Sequence, residues 1–459
     1  MSLKKIGIVG AGPCGTYLAY KLAEEGHEVH LFEKENYIGG CWASIYSKGL
    51  FTEHSPRVMF NSYYNTIEFF REIGIDFKQE FRKFKGDNKS FVKSMTYRDM
   101  YSIIKAYLSP LSSWEIMTMQ DLCDHYKISD RCRQTIQDMC YLMDGARIEQ
   151  MSVKEFLGTI DKTILYSGYE ARTNSDQYLV PKLMEAFERT GVKLHLNHRL
   201  MRFQGKETHF EHEGMIAPFT FDHTIVCIPP PFFSKVLKYS DREYMDAWGT
   251  GFEKLCEESY YTGIGVQFHF KPGTKAVRFK DKTVGDWHII NSYNKGSNCL
   301  SCVIVDPTLV SDFTGKSANE CSKNQILNEV WRQLMQQRKD EGKSVVEYEN
   351  KTVTPGLKRL GEKYVSEHGA FLFRGKYISN KPVGRSGGLN VSYVGPHNET
   401  SIPFTSYESA VQSAKIFLKQ FKHYKTRVTI FKPISFKYFL LFLLVIFVVM
   451  YLVLKRSRI

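Results

Sequence analysis

The chain has 459 residues, room for two folded units, and its 43% hydrophobic and 24% charged residues mark a globular protein, not a disordered or fibrous one. Its net charge of +13 is uneven: residues 415–459 hold ten Lys or Arg and no Asp or Glu, so the remainder is close to neutral. That placement excludes a broad nucleic-acid-binding face. The ten cysteines, with no signal peptide ahead of them, are expected as reduced thiols, not a disulfide framework.

Residues 6–9 are a short apolar run that leads into Gly10-Ala11-Gly12-Pro13-Cys14-Gly15. An amphipathic stretch, 16–25, and a second apolar run, 28–32, follow, ending in Glu33 and Lys34. The order predicts strand, glycine turn, helix and strand, the opening of a dinucleotide-binding unit. Gly10 serves the tight turn, Gly12 lets a diphosphate approach the backbone, and Gly15 lets the helix pack on the sheet. The helix start offers free N–H groups and a positive dipole end to phosphates. Glu33 is placed to accept hydrogen bonds from the adenosine ribose hydroxyls, and its charge disfavours a 2′-phosphate.

A second glycine pair, Gly39-Gly40, stands just beyond, followed by Cys41 and Trp42. A nicotinamide dinucleotide has no need of it, whereas an extended flavin dinucleotide gains backbone access towards its ribityl chain. On Gly10-x-Gly12-x-x-Gly15, Glu33 and Gly39-Gly40 the chain resembles the FAD-dependent amine oxidase superfamily, which includes phytoene desaturases and protoporphyrinogen oxidases. The resemblance implies an α/β fold: a Rossmann-type FAD-binding domain interleaved with an α+β substrate domain. Cys41 stands where the superfamily usually has an arginine.

Further along, 64–73 reads as a helix, and 97–160 as mainly helical. Tyr101, Ile104, Tyr107 and Leu108 make one apolar face there, and Met139, Leu142 and Met143 another. A helix over 179–190, a strand over 192–196 and a buried strand over 221–228, stopped by Pro229 and Pro230, return to cofactor-domain character. His195, His198, His209 and His212 fall in alternating segments and are expected on solvent-facing positions. By the resemblance, Leu200 contacts adenine through its backbone. Residues 246–365 alternate as strands, with a helix over 325–337. The superfamily commonly has a lysine on the central strand of this sheet; the matching stretch, 263–270, has none. Thr405 and Glu408 have capping-box spacing, so a helix is expected from about Ser406. The resemblance turns that helix start towards the flavin. Gly395 is followed by Pro396 where the superfamily has an acid contacting the ribityl chain, a role that falls to Glu399 or to a main-chain group.

The expected organisation is FAD-binding blocks at 1–90, 174–245 and 366–420, a helical substrate-domain piece at 91–173 and the substrate sheet at 246–365. A basic linker at 421–437, an uncharged span at 438–454 and a basic tail at 455–459 close the chain. The span predicts a tail anchor in a lipid bilayer, with the body in the cytosol, on the mitochondrial outer membrane or endoplasmic reticulum. The expected cofactor contacts are Gly10, Ala11, Gly12, Pro13, Cys14 and Gly15 in the turn, Glu33 and Lys34, then Gly39, Gly40, Cys41 and Trp42. Leu200, Gly395 and Thr405 complete them. No catalytic residue is assigned and no metal-ligand set is read; Cys299-x-x-Cys302 reads as strand. The expected function is hydride transfer to FAD from an amine or an apolar C–H substrate. The alternatives are a flavin enzyme without net redox change, resembling UDP-galactopyranose mutase, with Arg57, Arg172 and Arg385 as candidate diphosphate grips, or a cofactor-free adaptor.

Overall fold

The computed structural model describes residues 3–83, 94–109, 117–248, 260–280, 283–354, 356–366, 371–373, 389–398, 400–439, 446 and 450. A five-stranded parallel sheet runs in the order Val391–Tyr393, His223–Val226, Lys5–Val9, Glu28–Phe32, Lys193–His195. Lys5–Val9 lies at its centre, with Ile6 opposite both Val29 and His223. Its strands are near-continuous apolar runs because both faces are covered, as parallel sheets require. The helix Pro13–Glu24 packs on one face, with Tyr17, Leu18 and Leu22 buried, together with Ser175–Thr190 and Tyr407–Gln420. A three-stranded antiparallel meander, from Arg199–Gln204 to Met215–Thr220, covers part of the other.

A second five-stranded sheet is antiparallel, in the order Thr283–Val284, Ile289–Asn294, Cys299–Ile304, Ile264–His269, Asn350–Val353. Its core is closed by the helix Lys323–Asp340, through Ile326, Val330 and Leu334. Helices Tyr97–Leu108, Asp130–Asp144 and Val153–Thr163 form a separate apolar cluster. The face predicted on the first of them is not the buried one. Tyr101, Ile104 and Leu108 are exposed, whereas Asp99, Ser102, Ala106 and Tyr107 are buried. Asp99 fixes this orientation: it closes a capping box with Thr96 and accepts hydrogen bonds from Ser129 N–H and Oγ at 2.8 and 2.6 Å.

The tail-anchored localisation is overturned: among the described residues no helix is long and apolar enough to cross a membrane. Of the expected span, only residues 438, 439, 446 and 450 are described, and the rest of 438–454 lies outside the described residues. The segment before it, within 421–437, has its backbone held to the body. The Asn65 side-chain amide donates to Phe431 O at 2.8 Å and accepts from Phe431 N at 3.0 Å. Tyr166 Oη accepts from Ile434 N at 2.8 Å, and Ser435 Oγ donates to Asp161 at 2.7 Å.

Candidate active site

The turn at the end of the first strand is built by close backbone packing. Gly10 N donates to Phe32 O at 2.7 Å, which ties the turn to the neighbouring strand. A Cβ on Gly15 would lie 1.8 Å from Gly10 O, so only glycine lets the helix start this near the strand. Gly12 is the N-cap of that helix, Pro13 occupies its first turn, and no acid stands there to oppose the dipole. The second glycine pair folds back over this turn. Gly39 N donates to Ala11 O at 2.8 Å, and a Cβ on Gly40 (φ +57°) would sit 2.9 Å from Gly12 Cα. Two stretches of bare backbone thus face each other.

Glu33 is buried beside them. One carboxylate oxygen accepts from Ala11 N at 2.8 Å and the other from Glu35 N at 3.1 Å. Burial pushes its carboxyl above the usual range, against the pull of those two donors. Lys34 pairs with Glu35 at 2.6 Å and lies over the Phe232 ring.

A cavity of about 2270 Å³ opens from this corner and extends between the helical cluster and the second sheet. Gly10, Gly12, Pro13, Cys14, Glu33 and Lys34 border it at the turn; Gly40, Cys41, Trp42, Leu200 and Thr405 border it as well. Four expected contacts are absent from the lining: Ala11, Gly15, Gly39 and Gly395. Ala11 and Gly39 are occupied with each other through the backbone, and Gly15 lies against the sheet. Gly395 is covered by the His397 ring, which a Cβ there would meet at 2.3 Å. His397 itself borders the cavity, stacked on Tyr393 at 4.2 Å. Asn398, not an acid, closes that loop by accepting from Gly395 N at 2.7 Å and from Ser413 Oγ at 3.0 Å.

The helix that follows spans Tyr407–Gln420, and its cap is one residue later than expected. Ser406 and Ser409 form the capping box, while Glu408 turns away and accepts from Asn65 N and Thr66 N at 3.2 and 2.8 Å. Glu408 therefore caps the neighbouring helix Tyr64–Glu72 instead. Phe404, Thr405, Ser406 and Tyr407 bring the helix start to the cavity.

Of the three arginines named as candidate diphosphate grips, Arg57 borders the cavity. Its guanidinium lies 5.7 Å above the Trp42 ring and 3.5 Å from buried Glu53, and its Nη2 has no hydrogen-bond partner among the described residues. Cys41 is enclosed by the fold yet open to the cavity; burial raises its thiol pKa and the Arg57 charge opposes that. Arg172 is not in the cavity lining, and Arg385 lies outside the described residues. Further in, the lining includes apolar Met139, Leu142 and Met143 from one helix and Ile290, Val303 and the following Val305 from the second sheet and its end. Of residues 263–270 only Gly263 borders the cavity. The strand beyond it packs tightly on the Glu53–His54 backbone, where a Cβ on Gly265 would lie 2.5 Å from Glu53 O.

The histidines were expected on solvent-facing positions; His212 keeps 38% of its side chain exposed, and the structure encloses the others further. His30 and His195, on adjacent parallel strands, are hydrogen-bonded at 3.0 Å and stacked. His198 stacks on His212 at 4.2 Å and borders the cavity, and His209 is buried. The meander covers the face that alternation alone left open.

Residues 8–73 match the NAD(P)-binding Rossmann-like domain family. Two curated relatives are achacin from Lissachatina fulica, 51% identical over 53 residues, and 4,4′-diapophytoene desaturase from Staphylococcus aureus, 38% identical over 55. Each match covers 12% of this chain, and only 8% and 11% of the respective relative. Over the whole chain the likeness is one of fold. A putrescine oxidase structure aligns with 90% of this chain and 97% of its own, at a TM-score of 0.60 and 12% identity.

Proposed function

We propose that the protein is an FAD-dependent oxidoreductase that removes a hydride from an amine or from an activated C–H of an apolar substrate. The observation that carries this reading is the single cavity joining the two bare glycine turns to an apolar throat between the helical cluster and the second sheet. A nicotinamide site would need only the first turn. The local chemistry fits the larger cofactor: facing backbone at Gly12 and Gly40, a helix start without acids, and the Arg57 Nη2 without an acceptor among the described residues. The fold shared with a putrescine oxidase supports amine substrates, and the desaturase relative supports apolar ones.

Gly10, Gly12, Pro13, Cys14 and Gly40 would hold the diphosphate, and Glu33 the ribose. Arg57 and Trp42 border the next stretch, and Thr405 lies at the helix start that would face the flavin ring. When bound, FAD supplies the hydride acceptor. The throat orients the substrate and excludes water, which strengthens every polar contact inside it. Buried Tyr63, Tyr178 and Tyr407 all have hydroxyls pushed up by desolvation, so they stay protonated and neutral at working pH.

The test is the visible spectrum of the purified full chain, with flavin released by boiling and identified as FAD. Anaerobic bleaching by amines or by an apolar donor then assigns the substrate class. A colourless protein that takes up no FAD on reconstitution refutes the reading.

A further inference from the structure

The charged lining of the cavity is lopsided on the side carried by the second sheet and the helical wall. Arg278 and Lys280 lie just ahead of the edge strand Thr283–Val284, and both border the cavity. Their backbone is pinned to the end of the helix Lys323–Asp340: Arg278 O accepts from Lys343 Nζ at 3.2 Å, and Lys280 N donates to Glu341 at 2.9 Å. Arg131 borders the cavity from the first turn of Asp130–Asp144, the helix that also supplies Met139, Leu142 and Met143 to the throat. The wall and the sheet meet through His288 Nδ1 and Asp138 Oδ1 at 3.7 Å, with the His288 and Tyr141 rings 5.0 Å apart.

Three described acids on these elements are already engaged. Asp138 faces His288, Asp306 holds Arg147 at 2.5 Å, and Glu341 takes Lys343 along with the Lys280 N–H. Arg131, Arg278 and Lys280 form no ion pair with any described residue. Cations without an ion-pair partner among the described residues, at the rim of a cavity with apolar side chains further in, favour an anion whose body is hydrocarbon.

We propose that this end of the cavity binds the anionic head of an amphipathic substrate, a carboxylate or phosphate ending an apolar chain. The chain lies in the Met139–Val303 throat and the carbon to be oxidised points towards the glycine turns. The inference rests on the flavoenzyme reading above and narrows its substrate class.

The experiment is calorimetric titration of the flavin-loaded full chain with decanoate, decyl phosphate, decanol and decylamine, at low and raised salt. Both anions are expected to bind about tenfold more tightly than decylamine, with the preference shrinking as salt rises. The tighter of the two anions identifies the head group. The double variant Arg278→Ala/Lys280→Ala loses about tenfold in decanoate affinity and nothing in decanol affinity. Arg131→Ala, on another element, repeats the test should the double variant fail to fold. Equal or tighter binding of decylamine, anion binding unchanged in both variants, or no binding of either anion overturns the proposal. Flavin content is read on the same samples. A flavin-free protein that still prefers anions refutes the redox reading alone, and a flavin-loaded one that prefers decylamine refutes the anion site alone.

Discussion

Glu33 separates the fold from the proposed cofactor site within one residue, because its two oxygens already hold backbone donors while its carboxylate borders the cavity. Glu33→Gln keeps one carbonyl oxygen for the Ala11 N–H and gives up the acceptor for Glu35 N, at a cost of about 1 kcal/mol. Removing a buried charge whose carboxyl pKa is raised by desolvation offsets part of that loss. Urea unfolding of flavin-free protein should therefore show a change within about 1 kcal/mol. Glu33→Ala leaves the Ala11 N–H without its acceptor and should cost about 2–3 kcal/mol in the same assay. FAD affinity should behave differently. Hydrogen bonds from ribose hydroxyls to an ionised acceptor contribute about 1.5–3 kcal/mol, so Glu33→Gln should weaken FAD binding roughly 10- to 150-fold, read by fluorescence titration. An affinity within about twofold of the parent would refute the ribose assignment. A Glu33→Gln loss of stability as large as that of Glu33→Ala would refute the hydrogen-bond argument.

Gly15→Ala places a methyl group 1.8 Å from a backbone oxygen, so a stability loss of about 2–3 kcal/mol is expected, with FAD retention falling alongside it; a variant that melts like the parent contradicts the packing. Glu408→Ala strips the carboxylate from the buried starts of Asn65 and Thr66, and denaturant titration should show about 3 kcal/mol lost, with Glu408→Gln recovering part. Burial holds His195 down at about 4, aided by the nearby His30, His198 and Lys193 charges. A depressed folded value means stability that is present above the unfolded pKa and lost as pH falls. Melting should accordingly weaken from about pH 6.5 towards pH 4, by about 1–2 kcal/mol once solvent screening is allowed for. His195→Phe should flatten that window, and an unchanged slope would remove His195 as its cause.

The elements legible in the chain were those whose signals are local. The strand Lys5–Val9, its glycine turn and the helix Pro13–Glu24 follow from neighbours in sequence, and the helix Lys323–Asp340 follows from its apolar spacing and the Ser322 cap. Signals that compete locally were settled by distant contacts. Thr405/Glu408 and Ser406/Ser409 are overlapping capping patterns one residue apart. The unfilled N–H groups of Asn65 and Thr66 draw Glu408 away and leave the serines to cap. Periodicity marked Tyr101, Ile104, Tyr107 and Leu108 as one face, but only Tyr107 of them is buried, because Asp99, tied to Ser129, turns the other side of the helix inward.

The site divides along the same line. The glycines and Glu33 form a contiguous motif, so their meeting is a matter of local backbone geometry, and the chain spells it out. The rest of the cavity is assembled from elements with no sequence relation. Val391–Tyr393, only three residues long, completes the parallel sheet beside His223–Val226 and so delivers His397 and the Tyr407 helix start to the lining. Arg57 follows a two-glycine loop at some distance in sequence, yet stacks on Trp42 from that loop. Arg57 thereby sets a cation over the stretch of cavity beside Cys41, carried by another segment and facing buried Glu53. Motif reading around Cys41 does not register Arg57, because it compares positions along the chain. A cavity requires charge at a place in space, and any segment that reaches that place can supply it.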